Sequence, residues 1–475
     1  MPNDRQHHNV TLAVLVTAGT AYSLMQSLVI PALPDIRDSL GASEGALSWM
    51  LTAFLLSASV ATPILGRLGD MYGKKRLLMI TLCVVAVGTL LGALSSSTEM
   101  MIAGRVVQGV GGGIFPLAFA IIRDEFPPRR VSHGIGLMSS LLGVGGGLGV
   151  VLAGPIVDNL SYHWLFWLPL VATLVALVAT HVLVPESPIR APGRVNLTAA
   201  ALLSLGLVIV LLVITWATDW GWGSPRTLGG LASGLAVLVG WVAVEMRSRE
   251  PLVDMRMMRI RGVWSTNLVA FFVGAGMYSA FILLPRFVQE PESTGYGFGA
   301  SVLAAGVFLL PATFMQVLLG QFAGAIERRV GSKLPLLVGG TVGAAAFLLL
   351  VVAHSSPWEV YVASALLGIG IGLTFAALPN LIVEYVRQDQ TGVATGMNTV
   401  MRTIGGAVGV QLSATLLLTD VGAGGSPASS GYGLAFGMSA LAFVASVAVA
   451  PLIPRRRSRE SCVDGARIGV SRVTT

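Results

Sequence analysis

The chain has 475 residues, of which 54% are hydrophobic and 11% charged, and its formal net charge is +7. Soluble domains carry about 25% charged residues, so this composition excludes a soluble enzyme or binding module and points to a protein that lives in lipid. Cys83 sits in an apolar run and Cys462 in a polar tail, and the six histidines are scattered, so neither a disulfide framework nor a metal site is expected.

Fourteen apolar runs are each about long enough to cross ~30 Å of hydrocarbon as a helix. They cover 11–33, 48–65, 77–95, 100–122, 135–157, 165–185 and 197–216, then 228–246, 265–285, 300–322, 335–353, 359–383, 397–418 and 434–453. Lipid forces each to be helical, because an unpaired backbone group in hydrocarbon costs several kcal/mol. The first run is span-length and lacks a small-residue cleavage site, so it is not read as a cleavable leader. Between the second and third runs lies GRLGDMYGKKRLL, Gly66 to Leu78. Gly66 and Gly73 permit a tight reversal there. Lys74, Lys75 and Arg76 follow, and Asp70 is the one acid of the turn.

Placing the N-terminus inside puts 25 of the 30 Lys and Arg residues in cytoplasmic segments, with Arg37, Arg226 and Arg286 outside and Arg105 and Arg402 within spans. That bias fixes the expected orientation, with both termini cytoplasmic, and accounts for the positive charge without nucleic acid. Arg455 to Arg459 read as a stop-transfer flank beside anionic lipid. Trp49, Trp164, Trp167, Trp216, Trp220, Trp222 and Trp358 fall at the expected outer ends, as an aromatic belt would.

The chain repeats itself. Gly66 to Gly73 recurs as Gly324 to Gly331, Gly109, Gly111 and Gly113 as Gly368, Gly370 and Gly372, and Gly146-Gly147 as Gly405-Gly406. The shift is 258 or 259 residues, which exceeds the first six runs by about 60 residues, room for two more spans. The expected architecture is an all-α polytopic bundle of six plus two plus six helices. Its parts are a first bundle at 1–190, two added helices with their linkers at 191–262, a second bundle at 263–453 and a basic tail at 454–475. Parallel halves of this kind place the substrate site at their interface. The Arg- and Met-rich segment 247–262 reads as an amphipathic surface helix.

Charged residues inside lipid are functional candidates. Arg105 stands in the fourth run with Gln108 close by, and Arg402 in the thirteenth with Asn398 near it. No acid lies near the middle of any span, since Asp35, Asp158 and Glu384 are all at span ends. In the fifth run Gly145, Gly149 and Ala153 share one helix face, a spacing that lets two helices approach closely. Gln26 and Asn398 are candidates for the substrate cavity. A cavity with few charges, lined by aromatic and Met side chains, suits apolar or weakly cationic compounds.

These motifs resemble the major facilitator superfamily, in particular its fourteen-span drug:proton antiporters. Gly66, Leu68, Asp70, Gly73, Lys74 and Lys75 match the signature between the second and third spans, and Arg105, Gln108 and Gly109 match the fourth-span motif. Gly145, Gly149, Ala153, Gly154 and Pro155 resemble the antiporter motif, although Val150 stands where proline is usual. The branch usually carries an Asp in the first span; here the aligned residue is Met25, followed by Gln26. The resemblance implies an alternating-access exporter of drug-like or secondary-metabolite molecules, driven by the proton gradient, with no bound cofactor and no enzymatic activity. It implies a gate at Gly66, Asp70, Gly73, Lys74, Lys75 and Arg76, and proton coupling through Arg105, with Gln108, Arg402 and Asp35 as further candidates. The expected setting is the cell membrane, as a monomer, with small molecules, protons and lipid as partners. An importer of a small metabolite is the alternative. A receptor or lipid-modifying enzyme would need a soluble domain or a polar catalytic cluster, and neither is seen.

Overall fold

The computed structural model describes residues 3–30, 32–191, 195–419 and 427–454. The basic tail from Arg455, Arg194, and the side chains of Val150 and Asp158 lie outside the described residues. Among the described residues the chain is helical throughout, in chain order α1 (Asn3–Ser27), α2 (Leu33–Leu40), α3 (Glu44–Tyr72), α4 (Lys74–Ala93), α5 (Thr98–Gly109) and α6 (Ile114–Glu125). There follow α7 (Pro128–Asn159), α8 (Trp164–Leu183), α9 (Leu197–Trp220), α10 (Pro225–Arg247), α11 (Met255–Met258) and α12 (Arg261–Gln289). The last five are α13 (Val302–Val330), α14 (Lys333–Val352), α15 (Pro357–Tyr385), α16 (Thr391–Leu417) and α17 (Ser429–Val449).

Counting α5 and α6, joined by a 3-10 turn at Val110–Gly113, as one, 13 helices are long and apolar enough to cross a membrane. The 32-residue α7 stands where the fifth span is expected. Helix starts follow local chemistry: the side chains of Ser43, Ser97, Asn196 and Ser301 each accept a backbone N–H of the first turn. α3 and α13 both stop at a glycine with positive φ, Gly73 at 114° and Gly331 at 74°.

The repeat seen in the glycines extends to whole helices. α3 and α13 cover ranges 258 residues apart, and α4 and α14 ranges 259 apart. One apolar core gathers residues from Val14 to Val184, among them Leu15, Phe115 and Met138, together with Val383 of α15, and another gathers Val269 to Ile453, with Phe287, Phe347 and Phe436. The two repeats meet along two seams, α7 against α13 and α3 against α16. α9 lies across the second seam, touching both α3 and α16. At one end Trp216 of α9 meets Trp49 of α3 at 6.1 Å, while Thr218 and Trp222 donate to Gln411 and Thr415 of α16. α10 lies outside α9 and buries only 17% of its apolar window, as a lipid-facing helix does.

Four expected boundaries are corrected. The first run does not continue to Leu33: α1 ends at Ser27 and α2 starts anew with Pro34 in its first turn, because proline has no N–H to carry a helix on. Asp35 is therefore on α2 and not on the first span. The second and tenth runs continue past their apolar parts, to Tyr72 and Val330, which makes Asp70 and Glu327 helical and buried. The surface helix expected over 247–262 is the single turn α11, anchored by buried Leu252, Val253 and Met257.

Candidate functional site

At the end of the bundle that carries the Gly66–Arg76 turn, here called the basic end, both seams are closed by polar contacts. Asp70, fully buried in the last turn of α3, accepts the backbone N–H groups of Gly392 (3.2 Å) and Val393 (3.0 Å) in the first turn of α16. A helix N-terminus presents unpaired donors and a positive dipole end, so it is a natural partner for a carboxylate. The approach depends on two glycines: a Cβ on Gly66 would overlap the Gly392 carbonyl, and one on Gly392 would meet Gly66 and the Asp70 carboxylate. Arg123 of α6 reaches the same junction, donating to the carbonyls of Val386 (2.8 Å) and Arg387 (3.1 Å) and to the Thr391 hydroxyl (2.6 Å).

The α7–α13 seam has its own carboxylate. Glu327, 5% exposed, accepts from Asn380 Nδ2 of α15 at 2.6 Å, and Asn380 also donates to the Ser132 carbonyl of α7. Gly320 and Gly324 lie against Ser140 and His133 of α7 with no room for a side chain.

The rest of the turn does not cross between repeats. Lys74, fully buried, pairs with Asp124 of α6 and donates to the Ile189 carbonyl at 3.2 Å, and Ser187 donates to the same Asp124 carboxylate. Glu186 accepts the backbone N–H groups of Lys75 (3.2 Å) and Arg76 (3.1 Å), capping α4. Lys75 Nζ donates to the His181 carbonyl, and Arg76 is exposed. Gly73 is required by its φ of 114°, which L side chains rarely adopt, and a Cβ there would also meet the Glu186 carboxyl. Of the six residues expected at the gate, Gly66 and Asp70 bridge the repeats; Gly73, Lys74, Lys75 and Arg76 brace the turn within the first repeat.

Deeper in the bundle, Arg105 is 1% exposed and ties three helices together. Its Nη1 donates to the Met25 carbonyl of α1 (3.2 Å) and to Gln108 Oε1 (2.9 Å), and its Nε to the Met50 carbonyl of α3 (3.2 Å). Its guanidinium lies 4.2 Å from the centre of the Phe54 ring, a cation–π contact. At Met25, where an acid is usual in the resembling branch, the protein thus offers a backbone carbonyl to the same arginine.

Between the repeats a narrow cleft, part of it open to solvent, begins at Thr62, one residue from the Pro63–Gly396 contact. Gln26 lines it, together with Tyr22, Phe54, Tyr278 and Arg402. Asn398 does not: it is 1% exposed and its side chain donates to Asn267 of α12 at 2.9 Å, so it holds α16 to α12. The four candidates for proton coupling are not brought together. Arg105 and Gln108 are bonded, Arg402 belongs to the other repeat, and Asp35 is exposed on α2. In α7, Gly145 and Gly149 pack against Ser23 and Ser27 of α1, with Ser27 donating to the Gly145 carbonyl, and Ala153 joins Leu28 and Val29. Gly154 points towards Leu303 of α13, and Pro155 is exposed. Among the described residues no group of three His, Cys, Asp or Glu side chains could hold a metal ion.

Asp124, Glu186, Arg123 and Glu327 escaped the sequence reading. A signal existed for Glu327, which falls in the repeat of the Gly66–Gly73 turn.

Two repeated bundles joined at one end around a central cleft define a polytopic helical transporter. The chain belongs to the Major Facilitator Superfamily, whose family model matches residues 15–410. It is 27% identical over 403 residues to a multidrug transporter protein of Bacillus subtilis (strain 168), covering 84% of this chain and 73% of that protein. It is 27% identical to the tetracenomycin C resistance and export protein of Streptomyces glaucescens, covering 87% and 76%. It is 29% identical to the cephamycin export protein of Amycolatopsis lactamdurans, covering 93% and 92%. In fold it is similar to a human organic anion transporter, with a TM-score of 0.69, 17% identity and coverage of 93% of this chain and 99% of that one. It is also similar to a proton:xylose symporter, with a TM-score of 0.68, 12% identity and coverage of 95% and 97%.

Proposed function

We propose that this transporter is a proton-coupled exporter of drug-like or secondary-metabolite small molecules, working by alternating access as a monomer with both termini in the cytoplasm. The observation that carries the reading is the Asp70 carboxylate seated on the N-terminal amides of α16, across the two repeats. That contact exists only while the basic end is closed, so it stabilises one facing state and not the other. The excess of Lys and Arg at that end supports a cytoplasmic placement, and hence an outward-facing arrangement for the closed form. Relatives named for multidrug transport and for export of tetracenomycin C and cephamycin support outward movement of small organic molecules. Arg105 and Gln108 carry the proposed proton coupling by their resemblance to the fourth-span motif; Asp35, at the surface, is the weaker candidate.

Uptake of a fluorescent substrate into everted membrane vesicles, with and without an imposed pH gradient, tests this. Wild type should accumulate substrate only with the gradient. Asp70→Asn should lower the rate severalfold with membrane abundance near wild type, because an amide brings an N–H₂ against backbone donors and loses the charge. A wild-type rate in the variant would reject the gate, and gradient-independent uptake would reject proton coupling.

A further inference from the structure

The two buried arginines of the bundle differ in one respect. Arg105 donates from Nε and Nη1 to two carbonyls and an amide, and lies on an aromatic face. Arg402 is 5% exposed and stacks 4.5 Å from the centre of the Phe375 ring, but its Nε has no hydrogen-bond partner among the described residues. It also lines the cleft. Among the described residues no carboxylate lines that cleft, and none lies within salt-bridge distance of Arg402. Of the other polar side chains around it, Ser59, Thr62, Thr399 and Thr403 donate to carbonyls of their own helices, while the Tyr22 and Tyr278 hydroxyls and the Gln26 amide can donate a hydrogen bond to a ligand.

A cation taken out of water with no counter-charge is costly, and the cost is relieved when a ligand brings the charge. A guanidinium suits a planar carboxylate or a sulfonate, which it can hold with two parallel bonds. A cationic compound entering the same cleft would meet an unneutralised positive charge and no acid to pair with.

We propose that the cleft selects small organic molecules carrying a single negative charge, which Arg402 neutralises. This rests on the transport reading above and adds to it the substrate class. It reverses the preference for apolar or weakly cationic compounds that the scarcity of charges in the sequence suggests.

The test uses purified full-length protein in detergent and three dansyl probes of one shape, followed by dansyl fluorescence on binding. Dansylglycine is an anion, dansylglycinamide is neutral, and dansylethylenediamine presents an ammonium. Wild type should bind the acid about tenfold or more tighter than the amide, and the amine weakest, as a charge-assisted bond in a partly dry site requires. Arg402→Gln should weaken binding of the acid about tenfold or more and bring the acid-to-amide ratio close to one. Thr399→Asp, which puts a built-in counter-ion one turn from Arg402, should do the same and covers the case in which the glutamine variant does not fold. Equal affinity for acid and amide in wild type, or tighter binding of the amine, would overturn the proposal. The vesicle assay separates the two readings: acid preference without gradient-driven movement removes proton-driven export and leaves the anion site standing. Gradient-driven export with no acid preference does the reverse.

Discussion

Lys74→Met is expected to cost about 3–5 kcal/mol of stability, because it leaves the Asp124 carboxylate buried without its cation. Both side chains are fully buried, and the ammonium also holds the Ile189 carbonyl at 3.2 Å. After the substitution Asp124 keeps only the Ser187 hydroxyl among these partners. Asp124→Asn should be nearly as harmful, since it strands the charge on Lys74. The pair Lys74→Met with Asp124→Leu should recover much of the loss, because two apolar groups leave nothing unpaired. Thermal unfolding in detergent reads this directly, as a midpoint lowered by several degrees or more in each single variant and largely restored in the double one. Additive losses would mean that the two residues do not act as a pair.

Arg105→Ala should abolish transport, with at least a tenfold loss of rate. Three helices meet on this one side chain. Removing it leaves the Met25 and Met50 carbonyls without that donor, Gln108 Oε1 unpaired, and a void beside the Phe54 ring. Arg105→Lys should recover little, because an ammonium is a point charge and cannot reach partners in two directions while lying flat on a ring. Vesicle uptake normalised to protein abundance decides it. Normal transport by the lysine variant would mean that only the charge matters at this position.

Much of the bundle was legible because lipid imposes a simple rule on length and polarity. The shift of 258 residues between Gly66 and Gly324 could be read because a turn needing positive φ at Gly73 and Gly331 accepts few other residues. Asp70 was legible as one acid among bases, and the α1-facing stripe Gly145, Gly149 and Ala153 as small residues four apart. Long-range partners were not. Asp124, Glu186 and Ser187 are charged or polar residues near span ends, where such residues are ordinary, and nothing local says that they converge on one turn. Glu327 gave no local sign of burial because its helix outruns the apolar part of its sequence, and packing against α7 and α15 buries it. Asn398 was misplaced for a different reason. A helix in the middle of the bundle is apolar or small on most sides, so periodicity does not tell which polar residue faces a neighbouring helix and which faces the cleft. Tyr278 and Arg402 face the cleft; Asn398 faces Asn267.

The central claim is that Asp70 holds the basic end closed in one of two alternating states. Spin labels on Tyr72 and Arg329, exposed in the last turns of α3 and α13, report the separation of the repeats at that end. A second pair on Leu160 and Gln289, both exposed, reports the opposite end. With Cys83 and Cys462 replaced by serine, pulsed electron–electron distance measurements should show the first distance short in the resting protein. In Asp70→Asn the first distance should lengthen while the second shortens, in the same fraction of molecules. Identical distance distributions in wild type and variant would contradict the claim.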